Sequence, residues 1–260
     1  MDTVYVFLVA LLGLAVGSFL NVVIYRVPRK RPFVRGRSAC PHCGTRLAWY
    51  HNIPLLSYLA LRGRCAFCKE HISARYPLVE SLNAAGYVYL YFALGLSLQA
   101  AAFAFLVSAL LVIFFVDLDF QIIPDSITLT GMIIGLGASL LPGGLGIRES
   151  ALGLLIGGGA LYLIALLGDW LFKKESMGGG DIKMTAMLGA FLGWQKMLLI
   201  FIASALIGLI VSVAAMTVSA RLRRERVIPF GPFLALAAIL ALVWGGPLIR
   251  FYAVTFLGLP

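Results

Sequence analysis

Residues 100–117 read AAAFAFLVSALLVIFFVD, an almost unbroken apolar run that ends on an aspartate. Such a run is long enough to cross a hydrocarbon core about 30 Å thick. Seven more apolar segments flank it, at 4–25, 78–98, 126–142, 150–171, 182–194, 197–219 and 228–247. Across the 260 residues 61% are hydrophobic and 12% charged, roughly half the charge of a soluble domain, which carries about 25%. These figures exclude a disordered chain, a coiled coil and an ordinary cytosolic enzyme. The expected fold is an all-α polytopic membrane protein of about eight transmembrane helices, in contact with the lipid bilayer.

The formal charge is +10, and in a membrane protein it reports orientation. No nucleic-acid partner is expected. The first apolar run carries its basic residues after it (Arg26, Arg29, Lys30, Arg31), the reverse of a secretory signal. It reads as an uncleaved helix with its N-terminus outside. Threading the eight segments alternately puts 26–77, 118–125, 173–181 with Lys183 beside it, and 220–227 in the cytosol. Those loops hold 18 of the 21 Lys and Arg, leaving only Arg148, Lys196 and Arg250 outside. The positive-inside rule expects that asymmetry.

Three regions follow: a first transmembrane helix at 1–25, a polar loop at 26–77 and a transmembrane domain at 78–260. The loop holds 11 basic residues and all four cysteines, as Cys40-x2-Cys43 and Cys65-x2-Cys68. Each pair has the spacing that lets two sulfurs converge on one ion, and two pairs complete the four-thiolate shell of structural zinc. A reducing cytosol weighs against two disulfides. His42 and His71 are alternative ligands. A loop of about 50 residues has too small a core to fold unaided, so Zn²⁺ is read as its staple.

Segment 182–194 rises only about 20 Å as a helix. With Trp194 at the outer interface, Asp181 lies below the cytosolic surface. The glycines at 178–180 are then expected to enter the membrane as irregular backbone, which is tolerated where it is buried or lines a wet cavity. Acids inside membranes are functional candidates. Asp125 can cap the following helix, Asp119 can be solvated, Asp169 can pair with Lys173, and Glu80 can snorkel to the basic loop. Asp117 and Asp181 have no such bland role.

Two carboxyls brought together in low dielectric share one proton, and the charged one can activate water while the other polarises a carbonyl. Asp181 at a helix N-terminus is expected to hold the charge, and Asp117 at a helix C-terminus the proton. Two rival readings remain. Asp117, Asp119 and Asp125 could hold Mg²⁺ for a lipid diphosphate, with Lys183 on phosphate. A transporter or assembly scaffold could use the same acids for ions.

At these residues the chain resembles the type IV prepilin leader peptidases. The matching stretches are GSFLNVVIYRVP (17–28), the two CxxC pairs, ISARYPLVE (72–80), VDLDFQIIPD (116–125), GGGDIK (178–183) and IPFGPFLA (228–235). The resemblance implies a bacterial inner-membrane aspartic peptidase whose catalytic residues fall on Asp117 and Asp181, facing the cytosol. It implies cleavage after the glycine of a basic leader on type IV prepilins or pseudopilins, as in pilus and type II secretion systems. Members with this cysteine loop usually also methylate the new amine from S-adenosylmethionine. Asn52, Arg75, Tyr76 and Glu80 lie in or beside matched stretches and are candidates for binding that cofactor. The glycines at 178–180 are expected to offer amides to the unwound substrate.

Overall fold

A 25-residue helix, α1 (Asp2–Arg26), opens the chain. The structure, a computed structural model, describes residues 2–33, 38–173, 177–218 and 229–258. Arg35, Arg37, Lys174 and the basic run at 221–226, all counted in the charge asymmetry above, lie outside the described residues, as does residue 228. After α1 come a 3-10 turn (Trp49–Asn52), α2 (Leu56–Ala60), α3 (Arg75–Leu94), α4 (Leu98–Phe120), α5 (Asp125–Ser139), α6 (Ile147–Phe172), α7 (Gly179–Val218) and α8 (Gly231–Leu257). Beyond two isolated bridges in the cysteine loop, the described residues form no strand. Five helices are long and apolar enough to cross a membrane: α1, α4, α6, α7 and α8. The protein is a multi-pass, all-helical membrane protein.

The chain divides into two units, 1–112 and 113–260, with the division inside α4. In the first unit α1 runs along α3. Two glycines one turn apart let the backbones approach: a Cβ on Gly13 would stand 2.6 Å from Cα of Ala84, and one on Gly17 would stand 2.7 Å from Cα of Glu80. Small residues at such crossings are the usual device where lipid leaves no hydrophobic driving force. A buried polar thread fixes the register. Asn83 Nδ2 donates to the Gly13 carbonyl at 2.8 Å, and Ser108 Oγ on α4 donates to Asn83 Oδ1 at 2.9 Å. The Tyr87 hydroxyl lies 3.0 Å from the same Ser108.

In the second unit α7 is the central element, packed by α5, α6 and α8. Gly193, at φ 78°, breaks it into limbs 179–192 and 194–218. With this break every apolar segment of the sequence corresponds to one helix or limb. The short segment 182–194 is the first limb, and from Met184 to Leu192 it is wholly buried. Gly189 on this limb meets the Gly153 carbonyl of α6 so closely that a Cβ on either has no room, and Ser150 Oγ donates to the Ala190 carbonyl at 2.6 Å. One expectation changes: of the glycines at 178–180 only Gly178 is irregular, and Gly179 and Gly180 form the first turn of α7. Helix α8 also continues through Pro247 to Leu257, beyond the apolar segment that ended at 247.

Candidate active site and metal centre

Asp117 lies in the last turn of α4, 6% exposed. Its Oδ2 accepts a hydrogen bond from the Gly231 amide at 3.0 Å. Gly231 is the first residue of α8, so this amide is one of the N-terminal donors that a helix cannot satisfy internally. The expectation for Asp117 weighed the C-terminal end of α4 alone. The structure adds the N-terminus of a second helix, where partial positive charge gathers.

Asp181 lies in the first turn of α7, and its amide donates back to the Gly178 carbonyl at 3.1 Å. It stands within Coulombic range of Asp117. Ile123, from the segment joining α4 to α5, packs beside both Gly180 and Gly231. A Cβ on Gly180 would stand 2.9 Å from Cβ of Ile123, and one on Gly231 would stand 3.2 Å from its Cδ1. Both carboxyls thus lie beside helix N-termini in one unit, and Ile123 packs against both of those first turns. The Oδ1 of Asp181 is buried and has no hydrogen-bond partner among the described residues. Such atoms are rare and call for a reason, a catalytic role among them.

Asp125 does not cap α5. The residue before that helix is Pro124, with no side-chain cap, and Asp125 pairs instead with Lys183 Nζ at 2.7 Å. This ion pair ties the start of α5 to α7 two residues beyond Asp181. Half exposed, it contributes little stability but fixes the segment that carries Ile123. It also occupies the two groups that the Mg²⁺ reading needs for metal and phosphate.

The four cysteines of the first unit come together. Their Sγ atoms all lie within 4.8 Å of one another, and neither His42 nor His71 joins them. All four are free of disulfides. The two knuckles have the same build 25 residues apart. Cys40 N donates to Thr45 O and Cys65 N to Glu70 O, while Gly44 N and Lys69 N return to the carbonyls of Cys40 and Cys65. Ala39 bridges Arg46, and Arg64 bridges His71. The Thr45 hydroxyl and then its amide hold the Cys43 thiol down, to about 6. Such a group can hold a metal ion.

Gly44 turns the first knuckle at φ 69°, with nothing within 4 Å of a Cβ placed there. Gly44→Ala therefore adds backbone strain alone, about 1–2 kcal/mol. Metal affinity should fall roughly five- to thirtyfold at that strain, read by competition with a chelator. An unchanged affinity would mean that the turn does not preorganise the site.

The four candidates for a methyl-donor site are all in the first unit. Glu80, 7% exposed, does not snorkel: its Oε2 accepts from the Leu55 amide at 2.9 Å and holds Leu55 at φ 57°. That bond ties the segment after Asn52 to α3, the helix opened by Arg75 and Tyr76. Asn52 and Tyr76 are exposed, and the Tyr76 carbonyl accepts from Asn21 Nδ2 at 3.1 Å. A cavity in this unit, lined by Leu61, Arg62, Arg64, Cys65, Lys69 and His71, is lined by none of the four.

Two family models match this chain: the Bacterial Peptidase A24 N-terminal domain over residues 11–94 and the Type IV leader peptidase family over 104–213. Curated relatives named prepilin leader peptidase/N-methyltransferase are similar over much of the chain. The Aeromonas hydrophila protein is 38% identical, covering 97% of this chain and 95% of its own length. The Pseudomonas aeruginosa protein is 39% identical over 95% and 93%, and that of Myxococcus xanthus 41% over 81% and 63%. The chain belongs to the type IV leader peptidase family. No solved structure matches it. Membership makes the chain a peptidase and disfavours the Mg²⁺ transferase and scaffold readings. The first family model covers the cysteine loop, and the second begins within α4 and takes in both aspartates. Gly231 and Ile123 are the site residues that the sequence analysis did not single out. Their signal was present in the matched stretches, as Phe-Gly-Pro before an apolar run and Ile-Ile-Pro-Asp after Asp117.

Proposed function

We propose that this chain is an inner-membrane aspartic endopeptidase that removes the leaders of type IV prepilins or pseudopilins at the cytosolic side. The placement of Asp117 and Asp181 within Coulombic range of one another, each beside a helix N-terminus, supports this reading most directly. One negative charge shared by the pair is stabilised by the Gly231 amide and by the first turn of α7. The charged carboxyl takes a proton from water as it attacks the scissile carbonyl, and the protonated one donates to the carbonyl oxygen. The C–N bond then breaks, the leader leaves with a new carboxylate, and the freed nitrogen takes the proton. The unpartnered Oδ1 of Asp181 is the natural acceptor for the water. The excess of basic residues in the loops supports a cytosolic face for this chemistry.

The cysteine cluster fits Zn²⁺. A tetrahedral ion with bonds of about 2.3 Å spaces its sulfurs about 3.8 Å apart, and Cys40 and Cys68 Sγ stand 3.9 Å apart. Four thiolates leave no open position, so zinc is structural here. A second activity, methylation of the new N-terminal amine, follows the relatives' names. S-adenosylmethionine would supply the methyl group. Glu80, by fixing Leu55 beside Asn52, and Arg75 with Tyr76 would shape its site.

The test is to incubate the purified protein in lipid with a prepilin, with and without S-adenosylmethionine, and to weigh the product. Loss of the leader mass in both samples, with one methyl added only in the second, is expected. An intact prepilin overturns the peptidase reading. A cleaved but never methylated product overturns the second activity.

A further inference from the structure

The cysteine loop presents an apolar row to the outside. Trp49, Leu56, Leu59 and Phe67 are 80, 65, 70 and 51% exposed. Trp49, Tyr50, His51 and Phe67 touch in succession, ring against ring. Ser57 of α2 joins Leu56 and Leu59 to this row by donating to the Tyr50 carbonyl at 2.7 Å. Phe67 belongs to the knuckle whose Cys65 and Lys69 also line the cavity of about 450 Å³ with Arg62, Arg64 and His71. Apolar row and cationic cavity therefore share one short, metal-site turn.

We propose that this loop docks on the anionic leaflet of the bilayer, with the Trp49–Phe67 row and α2 seated at the boundary between headgroups and acyl chains and a lipid phosphate in the Arg62, Arg64, Lys69 and His71 cavity. Three observations select this occupant. The loop continues directly from α1, a membrane-span candidate ending at Arg26, so it starts at the headgroup level. Just beyond, the Arg29 guanidinium lies 4.1 Å over the Tyr25 ring, aromatic and cation side by side as interfaces favour. Residues 26–77 hold 11 Lys and Arg against one acid, Glu70. Exposed aromatics beside a basic cluster are the signature of binding to an anionic lipid surface. In water the same row would be an exposed apolar patch. The inference does not depend on which residues cleave the substrate.

The test uses the full chain with Trp170, Trp194 and Trp244 replaced by Phe, in nanodiscs of phosphatidylcholine with or without phosphatidylglycerol. With the anionic lipid, Trp49 emission should shift to the blue and be quenched by lipids brominated high on the acyl chain. Arg62→Gln, Arg64→Gln and Lys69→Gln together should reverse this, each charge being worth roughly a fivefold change in attachment. Hydrogen exchange on the unaltered protein gives a second reading: amides of 49–60 and 64–71 should exchange more slowly in the anionic discs. The proposal fails if Trp49 is equally open to acrylamide in both discs and exchange is unchanged. It also fails if shielding requires an added prepilin and no anionic lipid.

Discussion

Asp117→Asn and Asp181→Asn should each slow leader removal by up to about 10⁴-fold, the range that a positioned acid or base contributes. Asparagine keeps the size of the side chain, and its oxygen can still accept from the Gly231 amide, so the fold should survive. What it loses is the proton transfer. On the proposed reading, in which the two carboxyls act as one unit with one proton between them, the double variant should be hardly slower than either single one. The measurement is the fraction of prepilin cleaved over time, followed by mass, with helix content checked by circular dichroism. A folded single variant that keeps more than a tenth of the rate removes its residue from the chemistry. Additive losses in the double variant would separate the two carboxyls, and with them the shared proton.

Local pattern carried much of the architecture. A helix that crosses lipid must satisfy its backbone within itself and span a fixed thickness, so the apolar segments were legible one by one. The segment at 182–194 looked too short because it is only the first limb of α7, stopped by the positive φ of Gly193. The cysteine cluster was legible because CxxC spacing fixes local geometry. Contacts distant in sequence were not. The neighbours of Asp125 suggest a helix cap, whereas its partner Lys183 lies 58 residues away. The run of glycines at 178–180 suggests irregular backbone. In the structure Gly180 is small because Ile123 packs against it. Gly231 and Asp117 are 114 residues apart, and no local pattern records that an amide of one meets the carboxylate of the other.

That last contact carries the second large effect. Gly231→Ala keeps the amide but sets a Cβ just before Pro232, where the α conformation is disfavoured, so helix content by circular dichroism is read beside the rate. The new Cβ, however, would stand 2.6 Å from Asp117 Oδ2, 3.1 Å from its Cγ and 3.2 Å from Ile123 Cδ1. Asp117 has little room to retreat, since Ile113 and Val116 before it are wholly buried. The carboxyl must shift on the ångström scale, and misplacement of about 1 Å lowers a rate roughly 100-fold. Gly246→Ala on the same helix is the control, because its Cβ would meet nothing within 4 Å. The expected result is a folded Gly231→Ala protein with cleavage down about 100-fold and a Gly246→Ala protein at the parental rate. Should Gly231→Ala keep more than half of the parental rate, the N-terminus of α8 does not set the position of the Asp117 carboxyl. The stabilisation of the shared charge would then rest on the first turn of α7 alone.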